Sequence, residues 1–150
     1  MKLASTLILF AFLSACSHQT SQSDTESTLA ETSPQISILE LMTNQVVPLT
    51  NALWGIDEPQ TDEEWNAFLS VADDAISAFE QTRRGGSGPK DAEWTADPRW
   101  VDYSNQAIAA SEQYKDAIRA QDMEAIWTAG DSLLAPCTSC HQDFNPAVSQ

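Results

Sequence analysis

The chain has 150 residues, and its 22 Asp and Glu outnumber seven Lys and Arg for a formal charge of −15. So acidic a chain argues against nucleic acid or an anionic membrane surface as a direct partner. The length suits one small domain once processed segments are set aside, and no internal repeat is present.

At the N-terminus, Lys2 precedes an apolar run from Leu3 to Leu13 that is shorter than the about 20 residues a spanning helix needs. Residues 1–15 are therefore expected to be a signal peptide. The run ends in Leu13-Ser14-Ala15-Cys16, which resembles the lipobox of bacterial lipoproteins and implies that Cys16 becomes the lipidated first residue. Residues 16–33 continue with Ser, Thr, Gln and acidic side chains, and only Leu29 is large and apolar, as in a flexible tether. His18 falls in that tether and is expected to be solvated.

The folded domain is expected over 34–150. Ile38, Leu41, Met42, Gln45, Val46, Leu49 and Leu53 recur at helical spacing and predict a first helix, with a kink where Pro48 removes the bond to the Asn44 carbonyl. A second helix begins at Thr61, whose capping box leads into Asp62, Glu63 and Glu64. Its apolar face is Trp65, Phe68, Leu69, Ala72, Ile76 and Phe79, and Gly85-Gly86 stops it after Arg83 and Arg84. Ser87 to Asp97 reads as a loop. Asp97-Pro98 starts a third helix with Val101, Ser104, Ile108, Ser111, Tyr114 and Ile118 on its buried face, and Asp122 caps a fourth after a short link.

The fourth helix carries Cys137-Thr138-Ser139-Cys140-His141. Positions i, i+3 and i+4 share one helical face, so two thiols and an imidazole address one flat ligand. A bare Cys-x-x-Cys would be ambiguous among zinc, thiol redox chemistry and chance. The histidine directly after it, in an exported chain, points to one covalent haem c, with Cys137 and Cys140 bonding the vinyl groups and His141 ligating iron from the proximal side. Zinc or thiol redox chemistry is the weaker reading, since a closed zinc site needs further ligands. With Cys16 lipidated and the other two cysteines taken by haem, no structural disulfide is expected.

Four helices of comparable length predict an all-α, antiparallel up-down-up-down four-helix bundle, with haem near the C-terminal end of the fourth helix. The start of helix one and the end of helix four then share a pole. Gln142 to Gln150 contain no further ligand type, and Met123 lies about 21 Å from Cys137 along the helix. Met42 is the remaining sulfur for the distal side of the haem. The alternative is a five-coordinate iron with Met42 or Leu41 packed over an open site.

With Phe144 the motif extends to Cys-x-x-Cys-His-x-x-Phe near the chain's end, and this pattern resembles class II c-type cytochromes, the family of cytochrome c′ and cytochrome c556. The resemblance covers about Pro34 to Phe144 and implies a four-helix bundle with His141 as proximal ligand. In low-spin members a first-helix methionine completes the iron, a position that Met42 matches by placement. Members often carry an arginine one turn before the distal residue, where Ile38 stands here. Any basic partner for the haem propionates would come from Arg83, Arg84, Lys90, Arg99 or Arg119.

Removing residues 1–15 deletes Lys2 and carries the formal charge from −15 to −16. Transient docking onto redox proteins with basic surfaces is expected, at salt-sensitive rates. The tryptophans are expected in the core, with Trp94 and Trp100 alone near an entrance. No Ser/His/Asp set or phosphate loop is visible, so no enzyme is expected. The function expected is membrane-anchored electron transfer on the periplasmic side of a bacterial membrane, the outer one. The alternative is a five-coordinate protein that binds nitric oxide or carbon monoxide, and homodimerisation is a further expectation.

Overall fold

The computed structural model describes residues 36–148. The signal peptide, Cys16, the tether and His18 lie outside them. Four long helical stretches form a bundle, and the described residues contain no strand.

The first stretch is a composite rod: α1 (Ile38–Leu41), a π-helical segment (Met42–Val46) and α2 (Val47–Trp54). Ser37 caps it, its hydroxyl accepting from the Glu40 N–H at 3.2 Å while its own N–H donates to the Glu40 carboxylate at 2.9 Å. The expected kink at Pro48 takes a different form. The ring excludes an ordinary α turn upstream, and the chain widens, so that the Val47 N–H reaches back five residues to the Met42 carbonyl.

Helix α3 (Asp62–Arg84) starts with the Thr61 capping box and stops at Gly85, whose φ of 98° excludes most other residues. The stretch expected as a loop contains one short helix, α4 (Asp91–Thr95). One turn has no periodicity to reveal it. Helix α5 (Pro98–Ala120) is capped by Asp97 and carries proline in its first turn, and Gln121 turns left-handed at φ 53° before Asp122 caps α6 (Met123–Phe144). A 3₁₀ turn, Pro146–Val148, follows.

Helix α5 packs extensively along both α3 and α6. Buried Ala72, Ala75 and Ala78 on α3 and Ala107, Ala110 and Ala117 on α5 keep side chains small and let helix axes approach. The buried hydroxyls of Thr82, Ser104 and Ser111 each bond the carbonyl four residues back at 2.8 to 2.9 Å, so they enter the core without an unpaired donor. The first rod behaves differently. It lies on α3 through Leu41, Val46 and Leu53 but touches α6 only lightly.

Three expectations about faces need correction. Val101 is exposed, because the buried face of α5 runs through Trp100, Ser104 and Ala107 instead. Trp127 is 63 % exposed on the outer side of α6. Trp54 is also exposed, while Trp65 is a core residue as expected and Trp100, expected near an entrance, is buried.

Candidate haem site

The inward stripe of α6 positions the motif. Ile126, Ala129, Leu133 and Pro136 are buried at helical intervals, and the same stripe continues through Cys137, Cys140, His141 and Phe144. Residues that anchor the helix thus aim the thiols and the imidazole at its neighbours.

Those side chains open into a cleft of about 730 Å³ between the first rod and α6, floored by Phe79 and Thr82 of α3 and by Tyr103 and Ala107 of α5. A second chamber of about 710 Å³ adjoins it, walled by Trp94, Trp100 and Phe144. Met42, Val47, Cys140 and His141 line both chambers. The structure therefore brings Met42 of the first rod and the motif of α6 around one space, while Met123 stands at the far end of α6. Trp94 and Trp100 do border the entrance, and Trp54, expected in the core, lines the cleft as well.

The donor set and the lining fit a haem. Two free cysteines and a histidine share one helical face, and the walls are largely apolar. Of the large apolar side chains left exposed, Leu39, Val47, Trp54 and Val148 all line the two chambers. Such exposure is unfavourable unless a flat apolar surface covers it.

Burial pushes the Cys137 thiol up to about 11. It does the same to Cys140, where nearby Cys137 and Asp143 add to the effect. Reactive redox cysteines have lowered values, so the environment opposes the thiol redox reading. Among the described residues no group of three or more His, Cys, Asp and Glu is placed to hold a metal ion.

A polar and aromatic cluster clamps the end of α6 onto α5. Asp143 accepts from Arg99 Nη1 at 3.0 Å and from the Tyr103 hydroxyl at 2.9 Å. Arg99 also holds Asp97 at 2.8 Å and lies 5.5 Å from the centre of the Phe144 ring. Trp94 and Trp100 stack at 5.6 Å, and Phe144 meets Trp100 edge-on at 5.2 Å. The Trp100 indole donates to the Thr82 carbonyl at 3.1 Å. Sequence reasoning missed Asp143 and Tyr103, whose pairing spans 40 residues. The Arg-x-x-x-Tyr spacing of Arg99 and Tyr103, one turn apart on α5, was the available signal. Among the basic candidates for the propionates, Arg83 donates to Asn105, Arg84 pairs with Glu80, and Arg119 pairs with Asp116.

A model of the cytochrome c′ family matches residues 35–145. The chain belongs to that family and is a class II c-type cytochrome, a haem-binding protein. Haem c is the cofactor that membership implies. No curated protein and no solved structure matches the chain.

Proposed function

We propose that this cytochrome carries electrons, with one haem c joined to Cys137 and Cys140, His141 as proximal ligand and Met42 as distal ligand. The observation that carries the reading is the shared lining: Met42 from one wall and Cys140 with His141 from the other border the same two chambers. Haem held there by these residues would supply a one-electron couple between donor and acceptor proteins. The chain's contribution is to offer the His141 imidazole and the Met42 thioether to the same chambers and to keep water out with apolar walls. A filled sixth position needs no substrate pocket and suits electron transfer.

The rest of the reading concerns place and partners. A lipid on Cys16 would hold the domain on the periplasmic side of a bacterial membrane, most simply the outer membrane, with residues 16–33 as leash. The described residues contain no helix long and apolar enough to cross a membrane. The strong acidic charge favours donors and acceptors with basic docking surfaces, and association should slow as salt rises. A second copy of the chain is a further partner to test.

The distal assignment is tested by absorption spectroscopy of the ferric holoprotein. Methionine ligation gives a weak charge-transfer band at the red end of the spectrum, and that band should vanish in Met42→Ala at unchanged haem content. A high-spin wild-type spectrum with ready carbon monoxide binding would instead favour the five-coordinate, gas-binding alternative.

A further inference from the structure

Asp91 is only 3 % exposed, yet it is not part of the haem motif and, among the described residues, is not paired with a basic one. One of its carboxylate oxygens accepts from the Ile38 N–H at 2.8 Å and from the Gly88 N–H at 2.8 Å. Ile38 is the first residue of α1, 53 positions away, so α4 reaches across the fold to the start of the distal rod. The approach is built into the backbone. A Cβ on Gly86 would overlap the Ile36 carbonyl, and one on Gly88 would stand 2.7 Å from the Asp91 carboxylate. The Ser87 N–H adds a bond to the Ile36 carbonyl at 3.3 Å.

The other end of α4 leads to the opposite wall. Trp94 stacks on Trp100 and meets Phe144 edge-on at 6.4 Å, three residues beyond His141. One short helix thus holds both the beginning of the distal rod and the end of the proximal helix. Between Asp91's grip and Met42 there is a single α turn, and Met42 opens the π segment. Ile38 and Leu41 bury that turn's inner face, but apolar contacts tolerate rotation and sliding. A charge-assisted bond to one particular N–H does not.

We propose that Asp91 is a positioning residue for the distal side of the cleft: by holding the first N–H of α1 against the 85–91 loop, it sets where Met42 stands opposite His141. The inference rests on the reading of Met42 as the distal ligand.

The test compares Asp91→Ala, Asp91→Asn, Met42→Ala and the Asp91→Ala/Met42→Ala double variant as holoproteins, measuring carbon monoxide association to the reduced form, the ferric red band and the thermal midpoint. Asp91→Ala should speed carbon monoxide association about tenfold and weaken the band, a response within the usual range of coupling between sites. Asp91→Asn keeps one oxygen able to accept both bonds and should stay within about twofold of wild type. In the Met42→Ala background, Asp91→Ala should change association by less than about twofold, because it acts through Met42. In protein without haem, Asp91→Ala should also speed hydrogen exchange at the Ile38 and Gly88 amides.

A lowered thermal midpoint with wild-type association and an intact band would overturn the proposal and leave Asp91 purely structural. An equal change with and without Met42 would overturn it too. If Met42→Ala alone leaves band and association at wild-type values, the distal reading itself is wrong and this proposal falls with it. Should Asp91→Ala fail to fold, Gly86→Ala disturbs the same junction from the loop side and must give the same Met42-dependent change; its absence counts against the proposal.

Discussion

Helix α6 meets its two neighbours in different ways. Toward α5 it is closed: Tyr114 reaches Gly130, Tyr103 and Arg99 hold Asp143, and Trp100 abuts Phe144. Toward the first rod it is open, with the Trp54 indole on the Gly130 carbonyl at a long 3.4 Å and the cleft beyond. The difference teaches how a bundle makes room for a flat cofactor without weakening the helix that carries the Cys137–His141 motif. One seam takes the packing energy, and the other is kept apart at its ends. Helix α6 is therefore held by contact along its length, whereas the first rod is located by its tethers.

The largest effect expected is on the open seam. Replacing Cys137 and Cys140 together by alanine should abolish covalent attachment, leaving all haem extractable by acid and acetone, while the helices persist in far-UV circular dichroism and the packing of α3, α5 and α6 in the near-UV aromatic signal. Haem that stays on the doubly substituted chain would refute thioether attachment.

Truncations on the two seams should then separate clearly. Leu133 is 0 % exposed, and Leu133→Ala should cost about 2 to 5 kcal/mol through lost transfer and cavity terms. Trp54 is 43 % exposed with a long hydrogen bond, so Trp54→Ala should cost about 1 kcal/mol or less in protein without haem. Denaturant unfolding of both variants checks the ordering. Equal losses would mean that the rod and α6 are as closely packed as α5 and α6.

Gly130 offers a finer contrast because propensity and packing oppose each other there. Helix propensity alone favours alanine by about 1 kcal/mol. A Cβ at that position, however, would stand 2.8 Å from the Tyr114 hydroxyl and 3.4 Å from Trp54 Cδ1. Tyr114 is fully buried and cannot swing away, so overpacking of about 1 to 3 kcal/mol should prevail and Gly130→Ala should be destabilised. A stabilised variant would show that the closed seam yields more easily than its burial implies.

What was legible in the sequence follows the range of the interactions. Thr61, Asp97 and Asp122 cap helices through bonds two or three residues away, and each helix starts where those residues stand. The haem motif is local too, and the stripe that aims it has helical periodicity. Asp91 acts across 53 residues and Arg99 finds Asp143 across 44, and no local pattern announces either. Pro48 marked a disturbance in the rod, but whether it became a kink or a π turn depended on how Met42 to Val46 packed on α3. Val101 was misjudged because periodicity orients a helix only to within about one position, here 100°, and Trp127 because a large aromatic ring was expected in the core wherever it stood on the helix.

The smallest effect compares the same capping motif on the first rod and on α3, the helix that floors the cleft. Glu40, at the start of the distal rod, is held below its usual value mainly by the Ser37 side chain and then by the Ser37 N–H. Glu64, at the start of α3, is lowered mainly by the Gln60 and Thr61 N–H groups. A carboxylate whose folded pKa is depressed stabilises the fold above its unfolded value of 4.5, and that contribution disappears as pH falls through the folded pKa. Both groups are fully exposed, so salt and water keep each contribution small. Glu40→Gln and Glu64→Gln should each lower the thermal midpoint at pH 7 and converge on wild type in acid, where glutamate is also neutral. The two elements should differ in where the loss is felt. Loosening the Ser37 cap frees only the single turn before Met42, so Glu40→Gln should speed amide exchange locally around Leu41, whereas Glu64→Gln acts on a 23-residue helix and should register only in the global midpoint. Faster exchange throughout the first rod in Glu40→Gln would mean that the first turn is not a separable tether, and that this rod is held along its whole length as α3 is.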